Sequence, residues 1–262
     1  MKNIIYAPFL ILLMSSAVKA QTVTLDCYFN HEVHKTASGE IKRFHYLWTD
    51  TENSGFSKWG ELFKSKGAKL DTLGEAPTAK NLRASNIYII VDPDTKKENP
   101  NPHYIEATDT KEIAAWVKTG GILVLMANDS INVELPHFNN LAAKFGMHFN
   151  NDLQNHVIDD NHFEDGASVP FNTSIFKTAR KLFLKDVCSI SLNNKQAVIA
   201  LKSPNGATIA AIVKYGKGTV FAVGDPWLYN EYVNGRLPAG FDNDKAADDL
   251  TVWLIKQSKM AR

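Results

Sequence analysis

The sequence predicts an α/β fold in which a mostly parallel sheet lies between helices and gains antiparallel strands near the C-terminus. Three observations carry that expectation. Short, almost continuously apolar runs, such as 86–91 (Asn-Ile-Tyr-Ile-Ile-Val) and 121–127 (Gly-Ile-Leu-Val-Leu-Met-Ala), suit strands covered on both faces. Segments with helical spacing of apolar residues alternate with those runs. Near the end of the chain, Pro204-Asn205-Gly206 between two strand-like segments signals a hairpin, and so a local antiparallel arrangement.

The first twenty residues stand apart. Lys2 gives a positive start, residues 4–14 are nearly all apolar, and Val18-Lys19-Ala20 places small residues before Gln21. That pattern predicts a signal peptide over 1–20, export to the periplasm, and a single domain over 21–262 with no membrane insertion after cleavage. The apolar run is shorter than the roughly 20 residues that a bilayer span needs.

The remaining elements follow in order. Residues 23–29 alternate as a strand, and 55–66 read as a helix with Trp59, Leu62 and Phe63 on one side. Residues 68–73 suit an edge strand and 86–91 a buried one. A helix over 110–119 starts at Thr108 or Thr110 and stops at Gly120-Gly121. The second buried strand is 121–127, followed by a helix over 135–145 that Gly146 ends. Residues 149–185 are polar, rich in Asn and Asp, and without period, so they read as an inserted segment that builds one wall of a site or a contact surface. Strands are expected at 196–201, 207–214 and 218–223, and a last helix over 244–256 packs Ala246, Leu250, Trp253 and Leu254 against them.

Composition narrows the class. The 262 residues are 44% hydrophobic and 22% charged, which excludes disorder and coiled coil, and the formal charge of +1 offers no general affinity for nucleic acid. Cys27 and Cys188 either pair in an oxidising compartment or remain two buried thiols, and composition does not choose between these.

Polar clusters mark the carboxyl ends of the expected strands: Asn30-His31-Glu32, Asp92-Pro93-Asp94, Asn128-Asp129-Ser130 and Gly224-Asp225-Pro226-Trp227. In an open parallel sheet those ends meet at the crevice where ligands bind. One Asp after a strand is an ordinary turn former or helix cap; four such clusters at equivalent positions point to a site.

Two segments, 116–124 (Trp-Val-Lys-Thr-Gly-Gly-Ile-Leu-Val) and 217–225 (Lys-Gly-Thr-Val-Phe-Ala-Val-Gly-Asp), resemble the class I glutamine amidotransferase-like group of flavodoxin-type folds. More narrowly, Val91-Asp92-Pro93-Asp94, Asn128-Asp129-Ser130 and residues 224–232 are similar to the extra domain of unsaturated rhamnogalacturonyl hydrolases. The resemblance extends over most of 21–262 and implies a flavodoxin-like three-layer sandwich. Amidotransferase activity does not carry over, because strand 121–127 leads to Asn128-Asp129 where that chemistry needs a cysteine on a glycine-flanked elbow. Ser130 lacks the Gly-x-Ser-x-Gly frame of a serine nucleophile. A chain of this group is similar to ulvan oligosaccharide dehydratases. The resemblance thus implies elimination of water from a non-reducing terminal glucuronic acid in ulvan-type or pectin-type oligosaccharides, giving a 4,5-unsaturated uronic acid.

Such an elimination needs a base for the C5 proton, donors or a cation for the carboxylate, and an acid for the departing 4-hydroxyl. Two stretches are rich in suitable groups. The connection after the first strand, about twenty-five residues long, holds His31, Glu32, His34, Arg43, His45, Tyr46, Trp48, Asp50 and Asn53. The second stretch, 225–236, holds Asp225, Trp227, Tyr229 and Arg236. The expected roles are His31 or His45 as base, Tyr229 as acid and Arg43 or Arg236 on the carboxylate. Glu32, Trp48, Asn53, Asp92, Asn128, Asp129, Asp225 and Trp227 complete the binding surface. Asp92, Asp94, Asp129 and Asp225 are hard oxygen ligands, yet no EF-hand spacing occurs and His31-x-x-His34 lacks a third zinc ligand, so no metal and no cofactor is expected. Two other classes stay open: a non-catalytic carbohydrate-binding domain stacking sugars on Trp48, Trp227 and Tyr229, and a glycoside hydrolase using Asp129 and Asp225.

Overall fold

A computed structural model describes residues 20–171 and 174–261, so the expected signal peptide lies outside the described residues except for Ala20. In chain order the strands are β1 (Thr22–Asp26), β2 (Val33–Lys35), β3 (Ile41–Arg43), β4 (Lys69–Leu73), β5 (Ile87–Val91), β6 (Ile122–Met126), β7 (Met147–Phe149), β8 (Ala167–Pro170), β9 (Leu182–Phe183), β10 (Ile190–Leu192), β11 (Val198–Lys202), β12 (Thr208–Tyr215) and β13 (Gly218–Val223). The helices are α1 (Ser57–Ser65), α2 (Ala107–Lys118), α3 (Leu135–Ala143) and α4 (Asn243–Met260).

Nine strands form the main sheet, in the order β4-β1-β5-β6-β13-β12-β11-β8-β9. The first five are parallel to one another, and the remaining four add in antiparallel fashion. Counted along the chain, the parallel part runs second-first-third-fourth-fifth, the flavodoxin-like order. The fold is therefore a flavodoxin-like α/β sandwich with an antiparallel extension.

The apolar runs explain the layering. Ile87, Ile89 and Val91 of β5 pack with Trp59 and Phe63 of α1 and Leu250 and Leu254 of α4 on one face. Tyr88 and Ile90 pack with Ile113 and Val117 of α2 and Phe138 and Leu141 of α3 on the other. Because successive side chains alternate between faces, a strand covered on both sides must be apolar throughout, which is why β5 and β6 are buried at all five positions.

Several boundaries differ from expectation for local reasons. Strand β1 ends at Asp26 rather than residue 29, because the Asp26 carboxylate accepts the Phe29 N–H at 2.8 Å and bends the chain. Helix α2 starts at Ala107, where Glu106 and Asp109 form a reciprocal capping box that displaces Thr108 or Thr110 as the start. The 149–185 segment contributes more than loops: β8 and β9 extend the sheet, preceded by a 3-10 turn over Phe163–Gly166. Cys27 and Cys188 are both buried and unpaired. No helix among the described residues is long and apolar enough to cross a membrane.

Candidate functional site

A cavity of about 290 Å³ opens at the carboxyl ends of the parallel strands. Strand β5 supplies Asp92, β6 supplies Asn128 and Asp129, and β13 supplies Asp225 and Trp227. The β1–α1 connection adds His45, Tyr46 and Ser54, the β5–α2 loop adds Glu98, and the inserted segment adds Lys185 and Asp186.

The backbone around this cavity is unusual. Five non-glycine residues among those described have positive φ, and four of them line it: His45 (60°), Tyr46 (48°), Asp92 (44°) and Asp186 (52°). The left-handed region disfavours a side chain, most of all a bulky one such as Tyr46, and residues held there cluster at functional sites. Asp92 takes this conformation one residue after β5, where its N–H donates to the Met126 carbonyl and its own carbonyl accepts from the Asn30 amide.

Each side chain has a defined setting. His45 Nδ1 lies 2.6 Å from Glu32 Oε1, and the Glu32 carboxylate is only 7% exposed. With the proton on Nδ1 held by that carboxylate, Nε2 is left as the acceptor. Asp92 Oδ2 accepts from the Asn128 amide at 3.1 Å, and the Tyr46 hydroxyl lies beside the same carboxyl. Burial first, and then the neighbouring Glu98 charge, push the Asp92 carboxyl well above the usual carboxylate range. Burial, then the nearby Asp92 and Asp225 carboxylates, likewise push the Tyr46 hydroxyl well up. Asp225 is raised to about 8 by burial, against the N–H groups of Trp227 (2.8 Å) and Lys185 (3.0 Å) that its two oxygens accept. Lys185 Nζ sits 5.0 Å from the Trp227 ring centroid and 3.5 Å from Asp186.

Lys185 and Asp186 are placed by a close backbone contact. Gly224, the residue after β13, accepts the Cys188 N–H, and a Cβ there would fall 1.8 Å from the Cys188 carbonyl oxygen. Only glycine lets the inserted segment return against the sheet end at this point.

Of the residues expected from sequence, His45, Asp92, Asn128, Asp129, Asp225 and Trp227 meet at the cavity. Glu32 stands behind His45. The others are used elsewhere. His31 bonds the Cys27 carbonyl through Nδ1, and its backbone N–H donates to Asp94. Arg43 donates to the Asn30 carbonyl at 2.7 Å, which secures the loop. The Trp48 indole donates to the Asp71 carbonyl and its ring packs on the core, so it is no sugar platform. Tyr229 is half-buried in a 3-10 turn over Pro226–Tyr229, packs on the core and lines a separate cavity of about 270 Å³ with Asn243 and Asp244, so it does not meet His45 at this one. Arg236 lies over the Tyr232 ring, pairs with Asp160 and faces Asn53 at 3.5 Å, so neither arginine reaches the cavity. Sequence reasoning passed over Lys185, Asp186 and Glu98, which lie in aperiodic segments; β9, just before Lys185, is only two residues long and leaves no apolar run to mark it. No three His, Cys, Asp or Glu side chains among the described residues are grouped to hold a metal ion.

No family model matches the chain, and no curated protein matches it. Solved structures do. The mmIFT52 N-terminal domain aligns with a TM-score of 0.65 at 19% identity, covering 89% of this chain and 97% of that one. A cytoplasmic protein of Salmonella typhimurium LT2 aligns at 0.58 and 14% identity, covering 89% and 98%. The β-galactosidase of Rahnella sp. R3 aligns at 0.56 and 13% identity, covering 93% of this chain but 32% of the galactosidase. At these identities the likeness is one of fold.

Proposed function

We propose that the cavity eliminates water from a non-reducing terminal glucuronic acid of an oligosaccharide, leaving a 4,5-unsaturated uronic acid. The observation that carries this reading is the His45–Glu32 pair opening on the same cavity as Tyr46 and the buried Asp92 carboxyl. A base held in one tautomer and weakly acidic hydroxyl and carboxyl groups kept in their neutral forms are what proton abstraction beside a carboxylate requires.

In this mechanism the Lys185 ammonium, the one Lys or Arg side chain on the cavity wall among the described residues, pairs with the substrate carboxylate. His45 Nε2 takes the C5 proton, and the Tyr46 hydroxyl donates to the carboxylate oxygen on which negative charge builds. The electron pair then forms the C4–C5 double bond as the C4–O4 bond breaks, and neutral Asp92 gives its proton to the departing hydroxyl, which leaves as water. His45 returns its proton to solvent and Asp92 regains one. Trp227 offers an aromatic face to the ring, and Asp129 and Asn128 accept or donate to its hydroxyls.

The binding-only reading draws on the excess of carboxylates, since Glu98, Asp129 and Asp186 also line the cavity and suit sugar hydroxyls. The two separate cleanly. Incubation with glucuronate-terminated oligosaccharides should raise the ultraviolet absorbance of the conjugated product, with loss of one water and no chain shortening by mass spectrometry. Binding without that rise would reduce the protein to a carbohydrate-binding domain, and shortened chains would make it a hydrolase.

A further inference from the structure

Asp186 stands between two basic side chains. Its Oδ2 lies 3.5 Å from Lys185 Nζ, on the wall of the cavity, and its Oδ1 lies 2.8 Å from His156 Nδ1. His156 itself does not line that cavity: it borders a neighbouring one of about 430 Å³, which Asp186 also lines, and its side chain is 63% exposed. The imidazole therefore exchanges protons with solvent while touching the cavity only through Asp186.

The backbone fixes this geometry. Asn155 (54°) is the fifth left-handed residue, and its carbonyl accepts the N–H of the left-handed Asp186 at 3.0 Å. Next to them Gln154 and Val187 exchange both backbone hydrogen bonds, at 2.8 and 2.9 Å. The buried Asn155 amide donates to the Ser168 hydroxyl at 2.8 Å and to the Leu184 carbonyl at 3.0 Å. His156 and Lys185 flank this clamp, each adjacent in sequence to one of its left-handed members, and such conformations persist where the surroundings over-determine them.

Charge gives the arrangement its consequence. Asp92, Glu98, Asp129, Asp186 and Asp225 line the cavity against Lys185 and His45, and Asp129 and Asp152 join Asp186 around His156. A substrate carboxylate entering this acidic wall competes with Asp186 for Lys185. While His156 is neutral, Lys185 and Asp186 cancel as a pair; once His156 is protonated, the three groups carry a net positive charge and Asp186 is held from its other oxygen. The hydrogen bond survives in both states, because Nδ1 carries a proton in the imidazolium and in one neutral tautomer.

We infer that His156 is a positioning residue for the substrate carboxylate: protonated, it holds Asp186 and frees Lys185 for the substrate, and neutral, it leaves Lys185 paired with Asp186. This rests on the reading of the cavity as the glucuronate site. Turnover then asks two histidines for opposite states, His45 neutral as the base and His156 charged behind Asp186.

The test measures dissociation constants of methyl β-glucuronoside and of uncharged methyl β-glucoside at about pH 5.5 and about pH 8, on either side of histidine titration, for the parent, His156→Gln and His156→Arg. The other titrating groups of the cavity are common to all three proteins, so the comparison is between proteins at each pH. His156→Gln should bind the glucuronoside about fivefold more weakly than the parent at the lower pH and equally at the higher. His156→Arg, which stays charged, should match the parent at the lower pH and bind about fivefold more tightly at the higher. Changes of equal size at both pH values, changes shared by the glucoside, or parent-like binding by both variants would overturn the inference. If the crossing pattern appears and glucuronate-terminated oligosaccharides never become unsaturated, the dehydratase reading fails and the role of His156 stands. Unsaturation without the crossing pattern leaves the reading and removes the role, and a glucuronoside that binds none of the three proteins removes both.

Discussion

The connections that leave β1 and β13 begin alike and end differently. Each strand runs into a buried aspartate whose carboxylate accepts backbone N–H groups: Asp26 from Tyr28, Phe29 and Asn30, and Asp225 from Trp227 and Lys185. After Asp225 the chain relaxes into a 3-10 turn and directs Tyr229 onto the core. After Asp26 it runs out through the β2–β3 hairpin and returns through the left-handed pair His45–Tyr46, which delivers both residues to the cavity. Composition alone made the two connections look equally rich in chemistry. The backbone conformation separates them: the strained return supplies proton-transfer groups, and the relaxed turn supplies mostly packing.

The sharpest way to break that comparison is to remove one group from each side. His45→Ala should lower turnover by about a thousandfold with the fold intact, while Tyr229→Phe should stay within about threefold of the parent. Equal losses in a steady-state assay would erase the distinction. Next in size is Gly224→Ala, whose Cβ would strike the Cys188 carbonyl oxygen. It should destabilise the protein by about 3 kcal/mol in urea denaturation and weaken substrate binding by displacing Lys185. Glu32→Gln should lower kcat on the order of a hundredfold with little change in KM, since it alters the tautomer and orientation of His45 rather than a substrate contact.

A separate contrast concerns Asp26, which burial pushes up to about 6 from 3.8 although the Tyr88 hydroxyl and three N–H groups favour its charged form. A carboxyl with a raised folded-state pKa keeps its proton while the unfolded chain has already lost one. Its contribution to stability is therefore complete below about pH 4 and gone above about pH 6. The parent should lose roughly 3 kcal/mol of stability between pH 4 and 7 that Asp26→Asn does not lose. Parallel pH profiles for the two proteins would show that Asp26 titrates normally.

How much of this was legible in the sequence follows from the same physics. Strands β5, β6 and β13 were readable because burial on both faces forces unbroken apolar runs, and the parallel order follows from the helices between them. Asp92, Asn128, Asp129 and Asp225 were readable because strand ends fix them at one rim. Direction was not readable. Whether Tyr46 or Tyr229 faces the cavity depends on φ at single residues, and nothing in residue type announces a left-handed tyrosine. Lys185 escaped notice because its place depends on a contact between Gly224 and Cys188, far apart in the chain. Trp48 misled because an indole near a strand end serves sheet closure as readily as stacking, and here it bonds the Asp71 carbonyl.

The sheet order also sets a timetable for synthesis. His45 emerges early, but the strand bearing Asp225 completes the parallel sheet only after residue 218. Helix α4 then packs back on the sheet and on α1, and its Ser258 hydroxyl donates to Gln21 at 3.0 Å, across 237 positions of chain. Such long-range closure is slow relative to local structure, so a nascent chain on the ribosome carries His45, Tyr46 and Asp92 before Lys185 and the β13 end of the cavity are in place. The cavity forms as one of the last events of folding, and truncated or stalled products should carry no partial activity.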